Sequence, residues 1–155
     1  MKSSRRPHET DGGPRRGGAV RRRGCPSGGE GKAGLGGGRL LEARAALVTA
    51  GPLLKDEKDA TVRRCAALLE AELLRAEGRP DTALARLDAE PPSLDPGEAG
   101  ARALEEAQDH HALGHREAAQ QAFDAAERAF TEAGPGFSSQ VKDVQALRGS
   151  LAQRR

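Results

Sequence analysis

Asp109-His110-His111 together with His115 is the one cluster in this chain whose residue types and spacing suggest chemistry. His111 and His115 stand four apart, an interval that puts two imidazoles on one helix face, and with a carboxylate nearby such a pair suits zinc. Three features weigh against a metal centre. Leu113-Gly114 falls between the histidines at an expected turn, neither an HExxH nor an ExxH pattern is present, and the spacing offers no third ligand. Nucleophilic catalysis has less support. Ser138-Ser139 sit where a helix cap belongs, and nothing supplies a serine elbow or an ordered Cys/His pair. Gly31-Lys32 resembles the end of a phosphate loop, but Pro26 occupies the place of the first glycine and Ala33 replaces the magnesium-binding Ser or Thr. Cys25 and Cys65, forty apart, match no zinc spacing and are too few for a disulfide scaffold. The expectation is a binding protein, not an enzyme, with no metal and no cofactor.

The elements that must position these residues are limited by composition. Hydrophobic residues make up 36% of 155, and 28 of them are alanine; Leu, Val and Phe together number 25, and Ile, Trp and Tyr are absent. Sandwiches and barrels built from β-branched and aromatic strands are thereby excluded. Alanine is the best helix former and lets helices approach closely, so the expected class is all-α.

Charge divides the chain in two. Residues 1–38 carry nine Lys or Arg against three acids, whereas residues 39–155 carry sixteen against twenty. The first segment also holds twelve glycines and only Met1, Val20 and Leu35 as large apolar residues, too few to offset the entropy of ordering it. It is expected to be a disordered Gly/Arg-rich tail, followed by one helical domain over 39–155. A nucleic-acid-associated protein acting through this tail is the alternative function. Without an interleaved aromatic the tail suggests non-specific, salt-sensitive contacts at most, so nucleic acid is not the expected partner. Its Gly-Arg-Pro bias is equally what a GC-rich reading frame encodes. No apolar run approaches the length of a membrane span, and Ser4-Arg5-Arg6 is followed by no apolar export region. A reducing cytoplasm is the expected location.

Helical periodicity begins after Gly38. Leu40, Leu41, Ala43, Leu47, Val48 and Ala50 predict a first helix ended by Gly51-Pro52. Over 56–77, Val62, Cys65, Ala66, Leu69, Leu73 and Ala76 form one apolar stripe, and Ala67, Ala71 and Leu74 form a second. Two apolar faces predict two packing neighbours. Gly78 closes that helix, and Pro80 opens a short third one carrying Ala83, Leu84 and Leu87. Asp95-Pro96 with Glu98 predicts a capping box for a fourth helix running to Leu113-Gly114. A fifth over 116–133 places Ala119, Ala122, Phe123, Ala126, Phe130 and Ala133 on one face, and a last over 139–153 carries Val141, Val144, Leu147 and Leu151 as a one-faced cap.

The chain repeats itself. Glu77-Gly78-Arg79-Pro80-Asp81 matches Leu113-Gly114-His115-Arg116-Glu117 at an offset of 36, Ala83 and Leu87 correspond to Ala119 and Phe123, and Ala43 and Leu47 continue the series at an offset of 40. Repeats of this length belong to solenoids, the plain competitor being an alanine-rich bundle with a biased composition. At these residues the chain resembles the tetratricopeptide repeat family, whose second helix carries a small residue, a large one four later and a small one three after that. Ala119, Phe123 and Ala126 fit in full. Ala83 and Leu87 fit, with Glu90 at the third place; Ala43, Leu47 and Ala50 fit, but their partner helix would fall in the glycine tract. Ala71 and Ala107 hold the small-residue place of the first helix. The repeat lengths are similar to the divergent repeats of large bacterial regulators, of which the chain is read as a piece or relative.

The resemblance implies a short solenoid of antiparallel hairpins acting as a protein-interaction module or scaffold. Its concave groove, lined by first helices, would present Leu68, Glu72 and Arg75, then Leu104, Gln108 and His111, to a protein or peptide. The plain alternative is a solvated charged face with a spare leucine. The first helix lacks a partner on its outer side, because the preceding glycines cannot make a stable helix. This open edge is expected to recruit a copy of the chain or another partner.

Overall fold

A computed structural model describes residues 37–153. The expected disordered tail, and any nucleic-acid contact through it, therefore falls outside the described residues except at Gly37 and Gly38. Among the described residues the chain is all-helical: α1 (Gly37–Lys55), α2 (Ala60–Ala76), α3 (Pro80–Asp88), α4 (Pro96–Ala112), α5 (Arg116–Ala133), a 3₁₀ turn (Pro135–Phe137) and α6 (Ser138–Gln153). Helices adjacent in sequence pack on one another, and α2 also touches α4.

Three local expectations are corrected. Gly51-Pro52 does not end α1, which continues to Lys55 with Pro52 inside it. A proline costs one backbone donor and presses on the carbonyl four residues back, a local penalty that the final turn of a helix can absorb. The capping box of α4 is only half formed. Asp95 accepts the amide of Glu98 at 3.0 Å, but the Glu98 carboxylate is taken by the Ser93 hydroxyl at 2.6 Å and Arg64 at 2.7 Å instead of returning to the cap. The Asp95 amide donates to Ser93. Finally, α2 starts at Ala60 behind Asp59, which accepts from Thr61 at 2.8 Å, and only one of its two apolar stripes is well covered. Ala67, Ala71 and Leu74 are buried, but of the other stripe only Leu73 is, with Val62 and Leu69 exposed.

The 36-residue offset reappears in the turns that close α2 and α4. Glu77, Gly78 and Arg79 donate to the carbonyls of Leu73, Arg75 and Leu74; Leu113, Gly114 and His115 donate to those of Asp109, His111 and His110. Gly78 and Gly114 both take positive φ, 78° and 77°, as a left-handed helix terminus requires. Identical bonding at equivalent positions gives α2–α3 and α4–α5 the same closing turn, although α3 has 9 residues and α5 has 18.

Two apolar clusters form the core. Ala71, Leu74, Ala83 and Leu87 sit between α2 and α3; Ala101, Ala107, Phe123, Ala126, Phe130 and Val144 join α4, α5 and α6. Leu68 packs against both. Val141, Leu147 and Leu151 lay α6 over the second cluster. The close approach of α4 to α5 and to the 3₁₀ turn after it depends on two glycines that periodicity did not single out. A Cβ on Gly100 would lie 2.7 Å from the Phe130 ring, and one on Gly97 2.6 Å from that of Phe137. The two rings stack with centroids 5.9 Å apart.

Ala119 is buried near the start of α5. Ala119→Leu is expected to overpack its surroundings and destabilise the domain by about 1–3 kcal/mol in urea unfolding. A neutral substitution would show that the α4–α5 spacing has slack.

Candidate functional site

The histidine cluster is dismantled by the turn at Gly114. His110 and His115 bring their rings to 5.8 Å, centroid to centroid, while Asp109 points inward and is completely buried. Among the described residues no group of three or more His, Cys, Asp and Glu is placed to hold a metal ion.

Asp109 has a different role. Neither of its carboxylate oxygens has a hydrogen-bond partner, and the nearest cation, Arg75 of α2, stands 3.7 Å from Oδ1. The same guanidinium nitrogen is held by Glu105 at 2.6 Å. Burial pushes the Asp109 carboxyl up to about 7; Arg75 opposes the rise, and Glu105 and Glu106 add to it. Burial likewise raises Glu105, against the pull of Arg75. The reason for the burial lies in the repeat. Asp109 is 36 residues from Leu73, so a carboxylate occupies the position that holds a leucine in the preceding hairpin. That register was the sequence signal for its burial.

The six groove positions implied by the family resemblance lie on α2 and α4, all half-buried. Leu68 and Leu104 are drawn into the core, so neither is a spare leucine. Arg75 is committed to Glu105 and Asp109, and Gln108 donates to its own helix at the Leu104 carbonyl, 3.4 Å away. Glu72 adds its charge to the field on Glu105. Of the repeat-packing residues, Ala83, Leu87, Ala119, Phe123 and Ala126 are all buried.

The larger opening lies elsewhere. A groove of about 890 Å³ separates α1 from the α2–α3 hairpin, with Leu47, Val48, Leu54, Leu73 and Leu74 along it. It exists because α1 meets α2 over a short contact. Arg44 of α1 grips Glu77 in a two-pronged ion pair, which holds the Glu77 carboxyl below its usual range, while apolar side chains beside it stay in water. Leu41, Val48 and Leu53 are 71%, 68% and 77% exposed. The cations on the rim of this groove were missed by sequence reading, which followed apolar periodicity and passed over charged positions.

The chain matches no protein-family model, no curated protein and no solved structure. No described helix is long and apolar enough to cross a membrane.

Proposed function

We propose that the chain is a protein-interaction module, a short solenoid of tetratricopeptide type that works by binding and not by turnover. The repeated hairpin turn and the packing of helices in sequence order support the solenoid. The observation that carries the function is the distribution of uncovered apolar surface. Every large apolar side chain that is exposed on a helix belongs, among the described residues, to α1 or α2: Leu41, Val48, Leu53, Val62 and Leu69. The opposite end is closed by α6. Val48 lines the groove, and apolar side chains left exposed beside a groove mark an interaction site; Leu94, fully exposed in the loop between α3 and α4, does not line it.

The test is an apolar fluorescent dye. The wild-type chain is expected to bind it, and Leu41→Glu with Leu47→Glu is expected to abolish most of the signal while leaving the helical circular dichroism intact. A wild-type chain that binds no dye would mean that α1 closes over this face, and the interaction reading would fail.

A further inference from the structure

We infer that the groove between α1 and the α2–α3 hairpin receives an amphipathic helix with an acidic polar face, supplied by a different protein. The inference rests on the interaction reading above and names its partner's chemistry.

The floor of the groove is apolar, and Leu73 and Leu74 at its base belong to the stripes of α2 that face it and the core. A helix is a cylinder about 10–12 Å across that rises 1.5 Å per residue, roughly 140 Å³ per residue. The 890 Å³ opening therefore accommodates about six residues' worth of helix, or the inward half of roughly three turns. Such a ligand presents leucine-like anchors at i, i+3, i+4 and i+7.

The rim sets the charge. Arg44, Lys55, Arg63, Arg79 and Arg86 line the groove. Glu70 and Glu90 hold Arg86, Glu90 lies 3.7 Å from Arg63, and Glu77 holds Arg44. Five cations against three carboxylates leave a surplus of two. The surplus sits on Lys55 and Arg79, which are exposed and form no salt bridge among the described residues.

The same count disfavours the chain's own segments. Residues 1–36 carry nine Lys or Arg and three acids, the same sign as the rim. Among the described residues a second copy exposes large apolar side chains on helices only at α1 and α2, so a helix of that copy docking here would meet this face with its equal. Both faces would carry the same surplus cations, Lys55 and Arg79, so such a pairing sets like charge against like. An acidic helix meets the rim with the opposite sign.

Two synthetic fourteen-residue amphipathic helices with the same leucine face are the probes, one with glutamate and one with lysine on the polar face. Fluorescence anisotropy at low salt is expected to show the acidic peptide binding the full chain at least tenfold tighter than the basic one, with the difference shrinking at 0.5 M salt. Lys55→Glu with Arg79→Glu, which breaks no salt bridge, is expected to weaken the acidic peptide at least tenfold and to strengthen the basic one. Circular dichroism confirms that this variant folds. Equal binding of both peptides, or no effect of the charge reversal, overturns the proposal. So does the absence of peptide binding by a chain that takes up the apolar dye, an outcome that leaves the interaction reading standing. Sedimentation of the wild-type chain as a dimer that Leu41→Glu with Leu47→Glu dissolves would assign the groove to a second copy and overturn it as well.

Discussion

The stability of this domain is expected to fall as the pH rises from 5 to 8, the reverse of what ionised, well-paired carboxylates produce. Asp109 carries the effect. Its carboxyl titrates near 3.8 when exposed and near 7 when folded, so the folded state holds the proton more tightly than the unfolded state. Below the unfolded value both states are protonated and the fold is at full strength; between the two values unfolding releases the proton, and stability declines with each step in pH. One proton released on unfolding costs about 1.36 kcal/mol of stability for each unit of pH, and the slope falls off as the folded group itself titrates, so roughly 2 kcal/mol is lost on going from about pH 5 to about pH 7. Glu77 and Glu98, held low by their partners, contribute the opposite slope but only below the ordinary carboxylate range. Asp109→Asn removes the larger titrating group, and its urea midpoint is expected to vary much less over this window, the remaining slope of the same sign coming from Glu105, whose carboxyl burial also raises. Asp109→Leu, the residue found 36 positions earlier, should exceed wild type at pH 8 by a few kcal/mol, because a buried carboxylate that has no hydrogen bond and only a distant share of Arg75 is replaced by apolar contact. A wild-type midpoint that is constant from pH 5 to 8 would mean that Arg75 neutralises Asp109 fully in the fold.

The helices themselves were legible because alanine-rich segments punctuated by Gly and Pro leave few alternatives. Arg116–Ala133 coincides with the expected span, since Gly114 before it and Gly134 after it both take backbone angles that a helix interior does not. Pro52 misled because a proline near a helix end has a smaller structural effect than one at the centre. The exposed stripe of α2 could not be read from spacing. Val62 and Leu69 have the periodicity of buried residues yet stand exposed, because spacing says which face a residue is on and not whether a neighbour covers that face. The candidate site was legible only as an edge. Its cations, Lys55 and Arg79 among them, follow no periodic pattern and become a group only when α1 and the start of α3 are brought to one opening. Asp109 shows the complementary lesson: grouped with its neighbours in sequence it resembled a ligand, and placed in repeat register it belongs to the interior.

The largest loss from a single truncation is expected at Phe130. Its ring is completely buried, stacks on Phe137 and rests against the bare backbone of Gly100. Phe130→Ala removes the contacts and leaves a cavity that α4 has no side chain at position 100 to fill, so the cost should lie within or above about 3–5 kcal/mol. Stability totals for domains of this size are about 5–15 kcal/mol, and the variant should be close to unfolded at 37 °C. The two positions are coupled in a direction that can be measured. Gly100→Ala alone gains about 1 kcal/mol of helix propensity but drives its methyl to 2.7 Å from a ring that has nowhere to move, so it should destabilise. In the Phe130→Ala background the ring is gone, the methyl occupies part of the void, and the same substitution should stabilise. The cycle is expected to give an interaction of about 1–3 kcal/mol. Additive effects in urea unfolding would show that the ring does not rest on Gly100, and that α4 and α5 are held together chiefly by their alanines.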